Sequence, residues 1–142
     1  MLTLIETRNR HFLESCRRII RNTPPGEEIN LMHVAMKAAK SPAPHYYCTF
    51  TYAQRMLRVL RHGRMKLRRD RRFELWTELD GKCERYMRRC GCRLPEALAN
   101  VLAGESASQF FIAPSTALRL VQRLMAERRG SVRRDVRQPL NR

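Results

Sequence analysis

Arginine side chains, with their guanidinium groups, are the main candidates for a functional role in this chain. Arginine supplies 25 of the 29 basic residues, against 13 acidic ones, so the formal net charge is +16 at pH 7. Arginine binds phosphate and guanine bidentately and stacks on bases, which lysine does less well. Such an excess of positive charge is typical of proteins that bind a polyanion, most often nucleic acid. A genome rich in G and C would also favour arginine codons, so composition alone does not establish that the protein binds nucleic acid.

The basic residues are concentrated in two segments. Residues 55–72 hold nine basic residues and one acidic residue, and residues 128–142 hold six against one. On a continuous helix, like charges so close together are destabilising unless something such as phosphate offsets them. The alternative is a solvated face with local partners such as Glu74 or Glu78. Four of the first group would share one helical face: Arg58, Arg61, Arg68 and Arg72.

One segment of the chain occurs twice. Residues 43–57 return without a gap as residues 107–121, and each copy has two adjacent aromatic residues followed by an alanine and an arginine. The corresponding residues are Tyr46-Tyr47 with Phe110-Phe111, Ala53 with Ala117, and Arg55 with Arg119. A recurring unit indicates one supersecondary structure used twice. Each copy, over about residues 31–63 and 95–127, is predicted to be a helix, an aromatic connector and a second helix.

The second helix of each copy resembles the recognition helix of a helix-turn-helix motif. Its first two turns carry small polar residues and one arginine, the types that approach bases from a recognition helix. A helix-turn-helix joins its helices by about three or four residues, whereas the connection here is much longer. The alternative is therefore that these are packing positions and that the arginine braces the backbone. In the DNA-binding interpretation Ser115, Thr116 and Arg119 face DNA, as do Thr51, Gln54 and Arg55.

The two arguments together give the residues expected to contact nucleic acid. They comprise the basic residues of the first segment, the first turns of the last helix and the basic C-terminal segment. The set is Arg55, Arg58, Arg61, Arg64, Arg68, Arg69, Arg72, Ser115, Thr116, Arg119, Arg123, Arg128, Arg129, Arg133 and Arg134. Since adjacent residues of an extended segment point to opposite sides, one aromatic of each pair is expected in the core. The other is a candidate for stacking on unpaired bases.

Signatures of catalysis or metal binding are missing from the sequence. Cys90-Gly-Cys92 is a poor zinc pair without a second pair, and Cys83 and Cys90 fit the apolar face of a helix. The histidines have no recognisable nucleophile or carboxylate partner, and there is no glycine-rich phosphate loop. We therefore expect no enzymatic activity, cofactor or metal. With no apolar run of about 18 residues and no signal-peptide pattern, a cytoplasmic protein with reduced thiols and no membrane partner is expected.

Apolar periodicity and helix caps predict an all-α fold. Helices are expected over about 4–21, 31–40, 50–62, 64–90, 95–103 and 114–128, with Asn30 and Thr49 as N-caps and Pro95 and Pro114 in first turns. The prediction is a single compact domain of about six helices, residues 1–128, followed by a disordered basic tail, residues 129–142. One very short β-bridge between the connectors (46–48 and 110–112) is allowed. The copies are expected to pack about a pseudo-twofold axis.

The leading hypothesis is a non-enzymatic DNA-binding regulator or accessory factor, with RNA as the less favoured nucleic acid. Its arginine stripe and tail would neutralise phosphates, and the repeated helices would enter a groove. The alternative is a helical adaptor in a larger assembly, whose exposed apolar residues would be Phe73, Trp76 and Met87. An inhibitor-like protein that binds an acidic protein surface is a further alternative. The sequence leaves open a protein partner or a homodimer.

Overall fold

The computed structural model describes the backbone of residues 2–63 and 71–137 and the side chains of residues 2–63 and 72–128. Over these residues the chain forms six α-helices and no strand, which confirms the predicted all-α fold. The helices are α1 (Leu4–Arg21), α2 (Leu31–Ala39), α3 (Phe50–Arg61), α4 (Arg71–Cys90), α5 (Leu94–Gly104) and α6 (Pro114–Arg137).

The helix starts follow from the capping chemistry that the sequence carries. Asn30 and Thr49 accept hydrogen bonds from the backbone amides of His33 and Tyr52, as N-caps of α2 and α3. Thr3 forms a capping box at the start of α1. Each satisfied amide would otherwise lack a partner in the first helical turn. The predicted first-turn prolines also lie where expected, at the starts of α5 and α6.

One helix differs from its predicted bounds, and the predicted start of another lies outside the described residues. Within the described residues the linking helix begins at Arg71, and residues 64–70 of the predicted helix lie outside them. The last helix continues to Arg137 instead of ending near Arg128. A single glycine, Gly130, interrupts the sequence there, and one glycine costs a helix only about 1 kcal/mol. The first part of the predicted tail is therefore helical, and residues 138–142 lie outside the described structure.

The core is built by helices that cross between the two halves of the chain. The half α1–α3 and the half α4–α6 each pack their first helix on their second. The second helix of each half then packs on the third helix of the other half, so α2 contacts α6 and α5 contacts α3. The side chains enclosed between them are almost fully buried, among them Phe12, Leu57, Trp76, Leu98 and Val121. Neither half encloses a core of its own.

The connectors between the helices meet at the centre of the molecule. Ala43 and Ala107 exchange backbone hydrogen bonds of 2.9 and 3.0 Å and form an isolated antiparallel bridge. The predicted bridge at residues 46–48 and 110–112 is wrong, because Tyr47 and Phe111 adopt positive φ angles of 53° and 54° and leave the extended conformation. The bridged alanines are 1% and 2% exposed.

Equivalent positions of the two predicted copies have matching environments. The bridge joins equivalent alanines, and the positive φ angles occur at equivalent aromatic residues. Ala53 and Ala117 are both fully buried, as are Leu57 and Val121 one turn later. A packing arrangement related by a pseudo-twofold axis would produce these matches. The internal duplication itself stays a prediction.

A carboxylate on α4 joins the two connectors. Tyr46 Oη donates to Glu78 Oε2 at 2.8 Å, the Ser108 amide donates to the same oxygen at 3.1 Å, and the Ser108 hydroxyl donates to Oε1. Burial alone would raise the pKa of Glu78, but the hydrogen bonds from Ser108 and Tyr46 outweigh it and lower the pKa. The ionised carboxylate is thus the form that holds the connectors together.

We expect Glu78→Gln to destabilise the fold by about 1–2 kcal/mol near neutral pH, because it replaces charge-assisted hydrogen bonds by weaker ones. Because the folded-state pKa is depressed, the stabilisation is complete above the ordinary glutamate pKa of 4.5 and is lost as pH falls through the folded-state value. Urea unfolding above and below pH 4.5 checks this. The variant should lose less stability on acidification than the wild type. Equal losses in both, or the same result for exposed Glu74→Gln, would contradict the assignment.

Candidate nucleic-acid interface

The outer face of α3 is polar and basic. Ala53 and Leu57 lie fully buried on its inner side, so the helical period turns Thr51, Arg55 and Arg58 to solvent. The Arg55 guanidinium lies 5.3 Å from the centre of the Tyr52 ring, which restrains an arginine that has no ion pair among the described residues. The face thus presents a hydroxyl in the first turn and two cations in the next two turns.

The outer face of α6 presents similar groups. Ala117, Val121 and Leu124 are buried on its inner side. The exposed side carries a hydroxyl in the first turn and arginines on the next turns, namely Ser115, Arg119, Arg123 and Arg128, while Thr116 is half-buried. The ion pairs among the described residues involve Glu14, Asp80 and Glu84, and none of them includes Arg119, Arg123 or Arg128.

Arg61 is held by acidic neighbours. Its Nε lies 2.6 Å from Asp80 Oδ1 and its Nη2 lies 3.0 Å from Glu84 Oε2, so the side chain connects α3 to α4. The sequence argument expected it to bind phosphate. Because both donors already face carboxylates, Arg61 contributes to helix packing instead, and we leave it out of the interface.

The predicted stripe of arginines on one helical face is not formed. α3 ends at Arg61, His62 is its C-cap, and Gly63 turns the chain with a φ of 66°. Arg72 belongs to a different helix, α4, and is exposed. Arg64, Arg68 and Arg69 lie outside the described residues. Arg129, Arg133 and Arg134 lie on the described backbone of α6, but their side chains are outside the description.

A cleft of about 590 Å³ lies between the starts of α3 and α6. Both connectors line it with aromatic rings, and Arg8 from α1 and Arg72 from α4 line it with positive charge. Burial, and then the charge of Arg72, lower the pKa of Arg8. The two guanidinium groups are therefore near enough to repel each other. Arg8 was not among the residues expected from the sequence.

The aromatic pairs divide as predicted between core and surface. Tyr46 and Phe110 are 5% and 4% exposed, which confirms that one residue of each pair lies in the core, whereas Tyr47 and Phe111 are half-buried. The Tyr47 ring stacks on Phe110 with centroids 6.2 Å apart, and its hydroxyl lies 2.5 Å from His11 Nδ1. No ring contact to Phe111 occurs within the described side chains.

The two cysteines of α4, Cys83 and Cys90, differ in their exposure to solvent. Cys83 lies in the core as expected, and burial raises the pKa of its thiol to about 11, so it stays protonated at neutral pH. Cys90 is exposed, contrary to the expectation, because it is the last residue of α4 before Gly91 turns the chain. Among the described residues, no three His, Cys, Asp or Glu side chains are grouped to hold a metal ion.

The residues suggested for an adaptor surface do not form one. Trp76 is 1% exposed and belongs to the core, and Phe73 and Met87 are half-buried. The large apolar side chains that are exposed lie elsewhere: Leu2, Leu4, Ile5, Met32 and Phe50. In the part of the chain described, none of the helices has the length and apolar character needed to span a bilayer.

Comparisons of the chain with protein-family models, with curated proteins and with solved structures each gave no match.

Proposed function

We propose that this protein binds nucleic acid, with duplex DNA as the favoured partner, through the outer faces of α3 and α6. The observation that supports this most is the matched pair of exposed faces. Each starts with a hydroxyl, Thr51 or Ser115, and continues one turn later with an arginine, Arg55 or Arg119, that has no ion pair in the described part of the chain. Side chains of this kind at the start of a helix suit phosphate and base edges.

The electrostatics of the chain favour the same partner. The net charge of +16 attracts a polyphosphate over a distance and raises the association rate. Within the described residues only three arginines pair with carboxylates: Arg10, Arg61 and Arg88. Arg55, Arg119 and Arg123 form no ion pair among the described residues, so their charge is available to displace counterions from a nucleic-acid backbone. We accordingly propose a non-enzymatic accessory or regulatory role, acting in the cytoplasm.

Binding of this type has a measurable salt dependence. We expect the affinity for a random-sequence duplex to fall by a factor of at least about 100 between about 50 and 200 mM salt, because each phosphate contact releases counterions. Fluorescence anisotropy of a labelled duplex at several salt concentrations measures it. An affinity that does not change with salt would contradict the proposal, and so would protein that after a high-salt wash binds an acidic protein but no duplex.

A further inference from the structure

The cleft between the starts of α3 and α6 is lined by a residue with a buried hydrogen-bond donor that has no partner among the described residues. Trp76 lines it and is 1% exposed, yet its indole Nε1–H has no hydrogen-bond acceptor among the described residues. Buried donors without a partner are rare, because leaving one unsatisfied costs about 1–3 kcal/mol. A donor kept in this state at the wall of a cleft indicates a ligand that supplies the acceptor.

The positive charge that lines the cleft also favours a bound anion. Arg8 and Arg72 come from different helices and lie close enough to repel each other. Arg8 donates from Nε and Nη2 to the neutral side chain of Asn9, at 3.2 and 3.0 Å, and to no carboxylate among the described residues. Two adjacent guanidinium groups favour an anion between them, and phosphate accepts their hydrogen bonds in a fixed geometry.

The helix ends at the cleft add to this preference. Thr49, the N-cap of α3, Ala113, which precedes α6, and Thr3, the N-cap of α1, all line it, so three helix N-termini border the cleft. The partial positive charge of an N-terminus stabilises a nearby anion by about 0.3–1 kcal/mol.

Aromatic rings and the aliphatic side chains of Leu4, Ile5 and Leu75 also line the cleft. Phe111 is half-buried and free of ring contacts among the described side chains, whereas Tyr52 packs edge-on against Trp76 with centroids 5.6 Å apart. An open ring beside a cationic group is the arrangement on which a base stacks while its phosphate is bound. The volume of about 590 Å³ lies within the range of small-molecule sites, about 300–1,000 Å³.

We propose that this cleft binds one nucleoside phosphate, with the phosphate between Arg8 and Arg72, the base on Phe111, and the Trp76 indole donating to a base acceptor. Because the indole nitrogen is buried, the proposal requires a movement of Tyr52, which packs edge-on against Trp76. The same chemistry has two sources, a free nucleotide or one unpaired nucleotide of a bound strand. In the second case the inference rests on the proposed function.

Trp76 is the single tryptophan of the chain and reports on the cleft directly. Titration of its fluorescence with AMP, with an oligo(dT) strand, and with inorganic phosphate or adenosine alone separates the parts of the ligand. We expect AMP or the oligonucleotide to change the emission, and phosphate and adenosine to bind at least about tenfold more weakly. A response to AMP identifies the free nucleotide, and a response to the strand alone identifies an unpaired nucleotide. The inference is overturned if phosphate binds as well as AMP, or if no ligand changes the emission.

Matched variants locate the site. Arg8→Gln and Arg72→Gln are each expected to weaken the fluorescence response at least about tenfold, since a hydrogen bond to a charged group contributes about 1.5–3 kcal/mol. Arg10→Gln removes the same charge from the exposed side of α1 and should leave it unchanged. Phe111→Leu should weaken AMP more than phosphate. If Arg10→Gln has the same effect as Arg8→Gln, the interaction is general charge attraction and the cleft is not a site.

The proposal of duplex binding and the proposal of a nucleotide site in the cleft can be tested independently. The double variant Arg55→Gln/Arg119→Gln should weaken duplex binding strongly and keep the Trp76 response to AMP. Arg8→Gln should weaken the Trp76 response to AMP and keep duplex binding. Wild-type protein that binds AMP but no duplex would remove the proposed function and leave the cleft as a site for a free nucleotide. Wild-type protein that binds duplex but neither AMP nor single strand would overturn the cleft proposal alone.

Discussion

Replacing Arg55 and Arg119 together by glutamine is expected to weaken duplex binding by about 100-fold, because each arginine contact to a base edge or phosphate contributes about 1–3 kcal/mol. The two side chains lie on the exposed faces of α3 and α6, one turn after the hydroxyls of the first turn. Their loss should not affect folding, since both side chains are exposed. Anisotropy titration of a labelled duplex at fixed salt measures the change, and circular dichroism confirms an unchanged helix content.

The matched control removes the same charge elsewhere. Arg88 and Arg89 lie exposed near the end of α4, where Arg88 pairs with Glu84 and Arg89 lies over the Tyr86 ring. The double variant Arg88→Gln/Arg89→Gln should lower the affinity by less than about tenfold, through the smaller net charge alone. If both double variants weaken binding equally, the faces of α3 and α6 are not the contact surface.

Phe110→Ala is expected to destabilise the fold by about 3–5 kcal/mol, the cost of removing a buried aromatic ring and leaving a cavity. Phe110 is 4% exposed, meets Phe12 edge-on at 5.8 Å and stacks on Tyr47. The loss approaches the total stability of a small domain, about 5–15 kcal/mol. Urea unfolding followed by circular dichroism measures the effect.

The neighbouring phenylalanine provides the control for that experiment. Phe111 is half-buried, so Phe111→Ala should cost less than about 2 kcal/mol, because less apolar surface returns to water. It should instead weaken the Trp76 response to AMP. Equal destabilisation by the two variants would contradict the division of each aromatic pair between core and cleft.

Much of the fold could be predicted because local signals agree along the chain. The bounds of α1 to α3 follow from apolar periodicity and from the caps at Asn30 and Thr49. The end of α6 could not be fixed in this way. One glycine is a weak stop signal when no proline follows directly, and the helix continues past Gly130 to Arg137.

The candidate sites were harder to predict because they depend on contacts between distant segments. Arg61 has the same local sequence context as Arg58, yet it pairs with Asp80 and Glu84 on another helix. Arg8 lies outside the repeated segment, and its position beside Arg72 results from tertiary packing. One sequence feature relates Arg8 to Arg72. They are separated by the same number of residues as Ala43 and Ala107, which are equivalent positions of the two predicted copies.

The central claim is that guanidinium groups on the exposed faces of α3 and α6 bind phosphate. The slope of the logarithm of duplex affinity against the logarithm of salt concentration tests it most directly, since each phosphate contact contributes about 0.9 to that slope. We expect a steep slope for the wild type and one shallower by about 2 for Arg55→Gln/Arg119→Gln. Identical slopes for the two proteins would contradict the claim.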